Sequence, residues 1–176
     1  EAPWTLLVQA VDHYVPEVAA LRRLIDFMPQ WRLDDVMVSY ATDGGSVGPH
    51  CDNYAVFLLQ GEGERLWQLG RFCDASSPLL PHEELRILNS FTASEERLLQ
   101  PGDMLYVPPG YAHWGGARGE CTTFSIGFRA PRITDMVSRW VDQLLAQQTP
   151  DEFYRDVGRS PLTRARLNAE LVAPGA

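Results

Sequence analysis

The sequence has 176 residues, a net charge of -8 and 15 basic side chains, every one of them arginine. A chain without lysine forms no Schiff base or internal aldimine with pyridoxal phosphate, and it lacks the P-loop or kinase lysine that meets nucleotide phosphates. Any cation that grips a substrate carboxylate here must be a guanidinium, a rigid bidentate fork in place of a mobile point charge.

A hydrophobic fraction of 45% with 22% charged residues is ordinary for one soluble globular domain with a real core. The acidic balance argues against direct nucleic-acid binding and suits a basic peptide or basic protein partner. Cys51, Cys73 and Cys121 are odd in number and far apart, which excludes a disulfide framework and a thiolate zinc knuckle and points to a reducing, cytoplasmic setting. No apolar run approaches the ~20 residues of a membrane helix. The chain opens at Glu1 rather than Met, so the lack of a leader pattern decides nothing about targeting.

In chain order, residues 1–35 read as a helical flank, with Leu6, Leu7, Ala10 and Val11, then Val18, Leu21, Leu24, Ile25 and Met28 at spacings of three and four. Pro16 divides this flank and Pro29 ends it. From residue 36 the pattern changes to short β-like runs at 36–41, 54–60, 65–69, 97–100, 104–107 and 122–128, separated by Gly, Pro, Asp and Ser clusters. This many short strands predicts a β-sandwich or barrel over 36–131. Residues 72–94, with a weak strand near 85–88, read as an insertion between barrel strands. Residues 132–176 are helical again: Met136, Val137, Trp140, Val141, Leu144 and Leu145 form an apolar stripe that either covers the barrel or meets a second copy. A last helix is expected behind Ser160-Pro161, with Ser as cap and Pro in the first turn.

Two clusters carry chemistry. In Gly44-Gly45-Ser46-Val47-Gly48-Pro49-His50-Cys51-Asp52, an extended backbone puts His50 and Asp52 on one side and Cys51 on the other. An imidazole and a carboxylate on one face are two-thirds of the facial triad that holds non-haem Fe(II) with open positions, but alone the pair is better read as a satisfied hydrogen-bonded pair near a turn. The second cluster, Pro101-Gly102-Asp103 through Pro108-Pro109-Gly110-Tyr111-Ala112-His113, sets a turn, a strand and another turn before delivering a single imidazole to the next strand. Arg65 follows His50 by fifteen residues. If Gly61 to Gly63 make a hairpin, it returns beside the ligand-bearing strand at a depth that suits a dicarboxylate chelated by the metal. Taken alone, Arg65 reads as a surface arginine in a weak exposed ion-pair cluster with Glu62 and Glu64.

The second cluster matches the second cupin motif except that Ala117 stands where its final Asn would be. The first cupin motif is half present, with Asp52 in place of the second His. Together with Trp4 to Val11, Val47-Gly48-Pro49-His50-x-Asp52-x-Tyr54 and Ser125 to Pro131, the chain resembles the JmjC-domain ribosomal oxygenases, and specifically the bacterial branch acting on an arginine of large-subunit ribosomal protein sixteen. The resemblance implies a double-stranded β-helix (jelly roll) with flanking helices. Fe(II) would be held by His50, Asp52 and His113, and Arg65 would bind the 5-carboxylate of 2-oxoglutarate, with Ser125 as a second contact or simply a core serine. It implies hydroxylation at an arginine β-carbon with 2-oxoglutarate and O2 as cosubstrates, a basic ribosomal protein or peptide as partner, and a homodimer through helices after the barrel. The alternatives are a JmjC histidyl hydroxylase, another cupin enzyme with the same triad, or a non-catalytic metal-binding cupin domain.

Overall fold

The computed structural model describes residues 2–74, 76–81, 86–129, 131–147 and 153. They fall into two compact units, 1–130 and 131–176. In the first unit the strands are β1 (Thr5–Val8), β2 (Leu33–Ala41), β3 (His50–Cys51), β4 (Ala55–Gln60), β5 (Glu64–Phe72), β6 (Glu95–Leu99), β7 (Met104–Val107), β8 (Tyr111–Arg118) and β9 (Cys121–Phe128). They form a five-stranded sheet, β1-β2-β9-β4-β7, and a four-stranded sheet, β3-β8-β5-β6. All strand pairs within the sheets are antiparallel. The two sheets make the double-stranded β-helix.

The β-like runs of the sequence all become strands, and β7 occupies the residues expected of it because Pro-Gly-Asp and Pro-Pro-Gly close it at both ends. The amino-terminal flank differs. Thr5–Val8 is a strand, not a helix, pairing with Val38 to Ala41 along the edge of the large sheet. Four residues are too few for a helical period to exclude a strand, and a long β2 with a free edge satisfies their backbone groups. After a left-handed turn at Ala10 (φ 55°), helix α1 (Pro16–Ala20) begins with Pro16 in its first turn, and 3-10 turns follow at Leu21–Ile25 and Gln30–Arg32. Val18 and Ile25 pack with Val36, Phe57, Ile126 and Phe128 on the outer face of the large sheet.

Period two sorts the other side of those strands inward. Val56 and Leu58 meet Trp67, Leu99 and Val107 between the sheets, while Met37, Ser125 and Leu58 stand in one row across β2, β9 and β4. The expected Gly61–Gly63 hairpin does not form. β4 and β5 belong to different sheets, and the chain crosses between them. Gly63 (φ 64°) allows this crossing, since a Cβ there would stand 2.1 Å from the Glu120 carbonyl. Buried Gln60 pins the crossing through its amide, which donates to the carbonyls of Glu62 and Gly63 and accepts from Thr123 Oγ1.

Within the second unit, α2 (Ile133–Ala146) holds the expected apolar stripe, and all of its side chains are exposed. The helix expected behind Ser160-Pro161 lies outside the described residues. No described helix is long and apolar enough to cross a membrane.

Candidate metal centre

β3 and β8 pair so that His50 faces His113, their ring centroids 4.2 Å apart, and Asp52 follows directly after β3. Each ring is oriented by the carbonyl two residues before it. His50 Nδ1 lies 2.9 Å from Gly48 O, and His113 Nδ1 lies 3.0 Å from Tyr111 O. A carbonyl only accepts, so each Nδ1 carries the proton and each Nε2 presents a lone pair. These Nε2 atoms stand 4.0 Å and 3.7 Å from Asp52 Oδ2, too far for hydrogen bonds. The three ligand atoms nevertheless lie within 4.8 Å of one another, making this a cluster that could hold a metal ion.

His113 is 2% exposed, and burial, followed by the neighbouring His50, pushes its pKa down to about 4. It is therefore the neutral imidazole that a metal requires. Burial raises the Asp52 carboxyl above its usual range, against the pull of His50, Arg86 and Arg129. Two imidazoles and one carboxylate with no thiolate fit a divalent first-row ion that keeps several positions open.

Arg65 opens onto the same cavity, of about 130 Å³, which also includes Ser39, Ser125 and the His50–Asp52–His113 cluster. Its position differs from the hairpin expectation: β5 lies beside β8, the His113 strand, rather than beside β3. The stripe Leu69, Trp67, Arg65 on β5 pairs with His113, Gly115, Ala117 on β8. Gly115 is required here, because a Cβ would stand 2.8 Å from the Trp67 ring. Trp67 thus lies between the imidazole of His113, 5.9 Å from its centroid, and the guanidinium of Arg65, 5.7 Å away.

Arg65 is 3% exposed, and its Nη1 donates to Ser39 Oγ at 3.5 Å. Among the described residues, Nε and Nη2 have no hydrogen-bond partner. A buried guanidinium with unpaired donors is costly unless an anion meets it, and a carboxylate is the natural planar match.

At the cavity mouth, Arg129 Nε pairs with Asp34 at 2.6 Å and its guanidinium lies over Tyr54, 5.6 Å from the ring. Burial, then the Asp52 charge, pushes the Tyr54 phenol up to about 12. Asp35 Oδ2 accepts from the Ala10 amide at 2.7 Å, and Asp35 Oδ1 faces the inner side near Gly127. The mouth is therefore lined by two acids, the arginine that pairs with one of them, and an aromatic.

A model of the JmjC domain matches residues 20–136. The chain belongs to the JmjC-domain family. It is 41% identical over 89% of its length to the ribosomal protein uL16 3-hydroxylase of Escherichia coli K12, covering 42% of that protein. It is 42% identical over 84% of its length to a probable ribosomal oxygenase of Haemophilus influenzae, covering 37% of it. Among solved structures, E. coli YcfD superposes with a TM-score of 0.80 at 40% identity, over 90% of this chain and 42% of that one. A structure of YcfD in complex with cobalt and 2-oxoglutarate superposes at 0.74 with 39% identity, over 90% and 40%. The chain thus spans about two-fifths of the length of these relatives.

Within this JmjC domain the structure brings together His50, Asp52, His113, Arg65 and Ser125, all candidates from the sequence. Ser39, Trp67 and Asp35 are not among the sequence candidates, and Tyr54 enters there only as part of a motif. Trp67 had a signal, since it stands two residues from Arg65 on one strand. Ser39 had none, because its place beside Arg65 depends on two strands of different sheets coming face to face.

Proposed function

We propose that this JmjC domain is the catalytic core of an Fe(II)- and 2-oxoglutarate-dependent oxygenase that hydroxylates the β-carbon of an arginine in a large-subunit ribosomal protein, number sixteen. The observation that carries this reading is buried Arg65, whose Nε and Nη2 have no partner among the described residues, lining the same cavity as the His50–Asp52–His113 cluster. A metal-only cupin has no use for such a cation. An oxo-acid that chelates a metal through its 1-carboxylate and ketone leaves its far carboxylate for Arg65, with Ser125 and Ser39 as further hydroxyl contacts. Fe(II) bound by His50, Asp52 and His113 would couple oxidative decarboxylation of 2-oxoglutarate, giving succinate and CO2, to insertion of one oxygen atom from O2 into a C–H bond.

The chain's own residues bind, orient and exclude water. Gly48 O and Tyr111 O hold the two imidazoles in one tautomer. Trp67 and Leu58 wall the cavity, and Trp67 keeps Arg65 at a fixed depth from His113. Asp35 at the mouth, through Oδ1, complements an incoming guanidinium, and the net charge of -8 favours approach of a basic ribosomal segment, an attraction that salt weakens. The relatives named as ribosomal protein uL16 3-hydroxylase and probable ribosomal oxygenase support a ribosomal protein as substrate, and a cytoplasmic setting is part of the same proposal.

The test is to incubate the protein with Fe(II), 2-oxoglutarate and a peptide of the ribosomal protein around its candidate arginine, then map the product by mass spectrometry. Gain of one oxygen on arginine supports the reading. Gain on histidine would point to the histidyl hydroxylase alternative, and metal binding without turnover of 2-oxoglutarate to a non-catalytic domain. The α2 stripe, with Met136, Val137, Trp140 and Leu144 exposed on one face, is read as the contact between two copies. Trp140→Asp should convert a dimer to a monomer in sedimentation analysis, and an unaltered protein that sediments as a monomer would refute that contact.

A further inference from the structure

β3 is two residues long, too short to hold its register unaided, yet it and the next residue carry two of the three candidate ligands. β8 pairs with one of its edges. The other edge is met by residues 86–88, part of the segment that the sequence marks only as an insertion. Ile87 bridges to His50, and the Leu88 amide donates to Pro49 O at 2.8 Å. Cys51, on the opposite side from the ligands, is buried in one cluster with Leu88, Cys73 and Ala112. Arg86 Nη1 donates to Asn53 Oδ1 at 2.6 Å. Three successive residues of the insertion therefore engage the ligand strand from Pro49 to Asn53.

We propose that Arg86 is a positioning residue of the metal centre, acting through Asn53 to hold the turn that aims the Asp52 carboxylate toward His50 and His113. This rests on the reading of those three residues as metal ligands. The Asp52 backbone is already held on one side, where its carbonyl accepts from the Gly110 amide at 2.7 Å. The Arg86–Asn53 bond adds a second tie at the following residue, so that the backbone just after the ligand is held at two successive residues. Of the contacts from 86–88, this is the side-chain pair, and it can be removed without touching the backbone bridge or the apolar cluster. As an exposed hydrogen bond it contributes little to global stability, whereas residues that orient metal ligands change metal affinity by about 10- to 100-fold when lost.

The experiment is a Co(II) titration of metal-free protein, followed by visible d–d absorption, with melting temperature measured in parallel. Arg86→Ala and Asn53→Ala should each weaken Co(II) binding by roughly tenfold or more, alter the band envelope and leave the melting temperature near that of the unaltered protein. The double variant should be no weaker than either single one, because both break one link. Arg86→Lys should recover part of the affinity. Unchanged Co(II) affinity and spectrum in Arg86→Ala and Asn53→Ala, while the unaltered protein binds Co(II), would overturn the role of Arg86 alone. Absence of saturable Co(II) binding by the unaltered protein would overturn the metal reading beneath it.

Discussion

His50 and His113 occupy opposed positions on β3 and β8, and each ring is turned by the backbone carbonyl two residues before it, so that both Nε2 atoms converge on Asp52. The same local device on two strands makes the cluster a consequence of register. Replacing His113 by Ala leaves two donors and should abolish saturable Co(II) binding, read by absorption titration. Retained binding would show that the ion sits elsewhere.

Arg65 separates ligand binding from stability. Arg65→Met keeps much of the volume but removes charge-assisted bonds, each of about 1.5–3 kcal/mol, so the apparent 2-oxoglutarate requirement should rise roughly 10- to 100-fold. Because Nε and Nη2 have no partner among the described residues, the same variant measured without 2-oxoglutarate should melt no lower than the unaltered protein. A parallel loss of melting temperature would mean that Arg65 is a structural residue.

Gly115 lies beneath Trp67, where a Cβ would stand 2.8 Å from the ring. Gly115→Ala should cost about 1–3 kcal/mol, as overpacking does, measurable by urea denaturation. By shifting Trp67 it should also weaken 2-oxoglutarate binding. Unchanged stability would show that the indole moves aside freely.

Asp12 is a buried acid that ties the amino-terminal segment to β2. Its Oδ1 accepts from the Val36 amide at 2.9 Å and its Oδ2 pairs with Arg22 at 3.2 Å. Asp12→Ala leaves a buried N–H without a partner and should destabilise the protein by about 1–3 kcal/mol in denaturant unfolding. A loss below this range would mean that water replaces the carboxylate.

Burial, then the neighbouring Cys51, pushes the Cys73 thiol up to about 12. At pH 8 it is therefore protonated, and since the thiolate is the nucleophile, native protein should leave Cys73 unmodified by iodoacetamide while denatured protein exposes it. Rapid alkylation in the native state, located by peptide mapping, would contradict its burial.

Much of this architecture was legible because its signals are local. Pro-Gly-Asp and Pro-Pro-Gly bracket β7, period two places His50 and Asp52 on one face, and a chain without lysine leaves only guanidinium for an anion. Leu6 and Leu7 misled because four residues satisfy helical and extended patterns alike, and the free edge of β2 decided between them.

By itself, then, the sequence determined the candidate donors, the strand segments and the kind of cation. The tertiary structure alone decided that β5 lies against β8, that Ser39 reaches Arg65 across the two sheets, and that residues 86–88 support β3. The reason is physical. Turn chemistry and side-chain alternation are set by neighbours in the chain, whereas a strand's partner depends on which distant edge and face it can satisfy, and no local pattern encodes that choice.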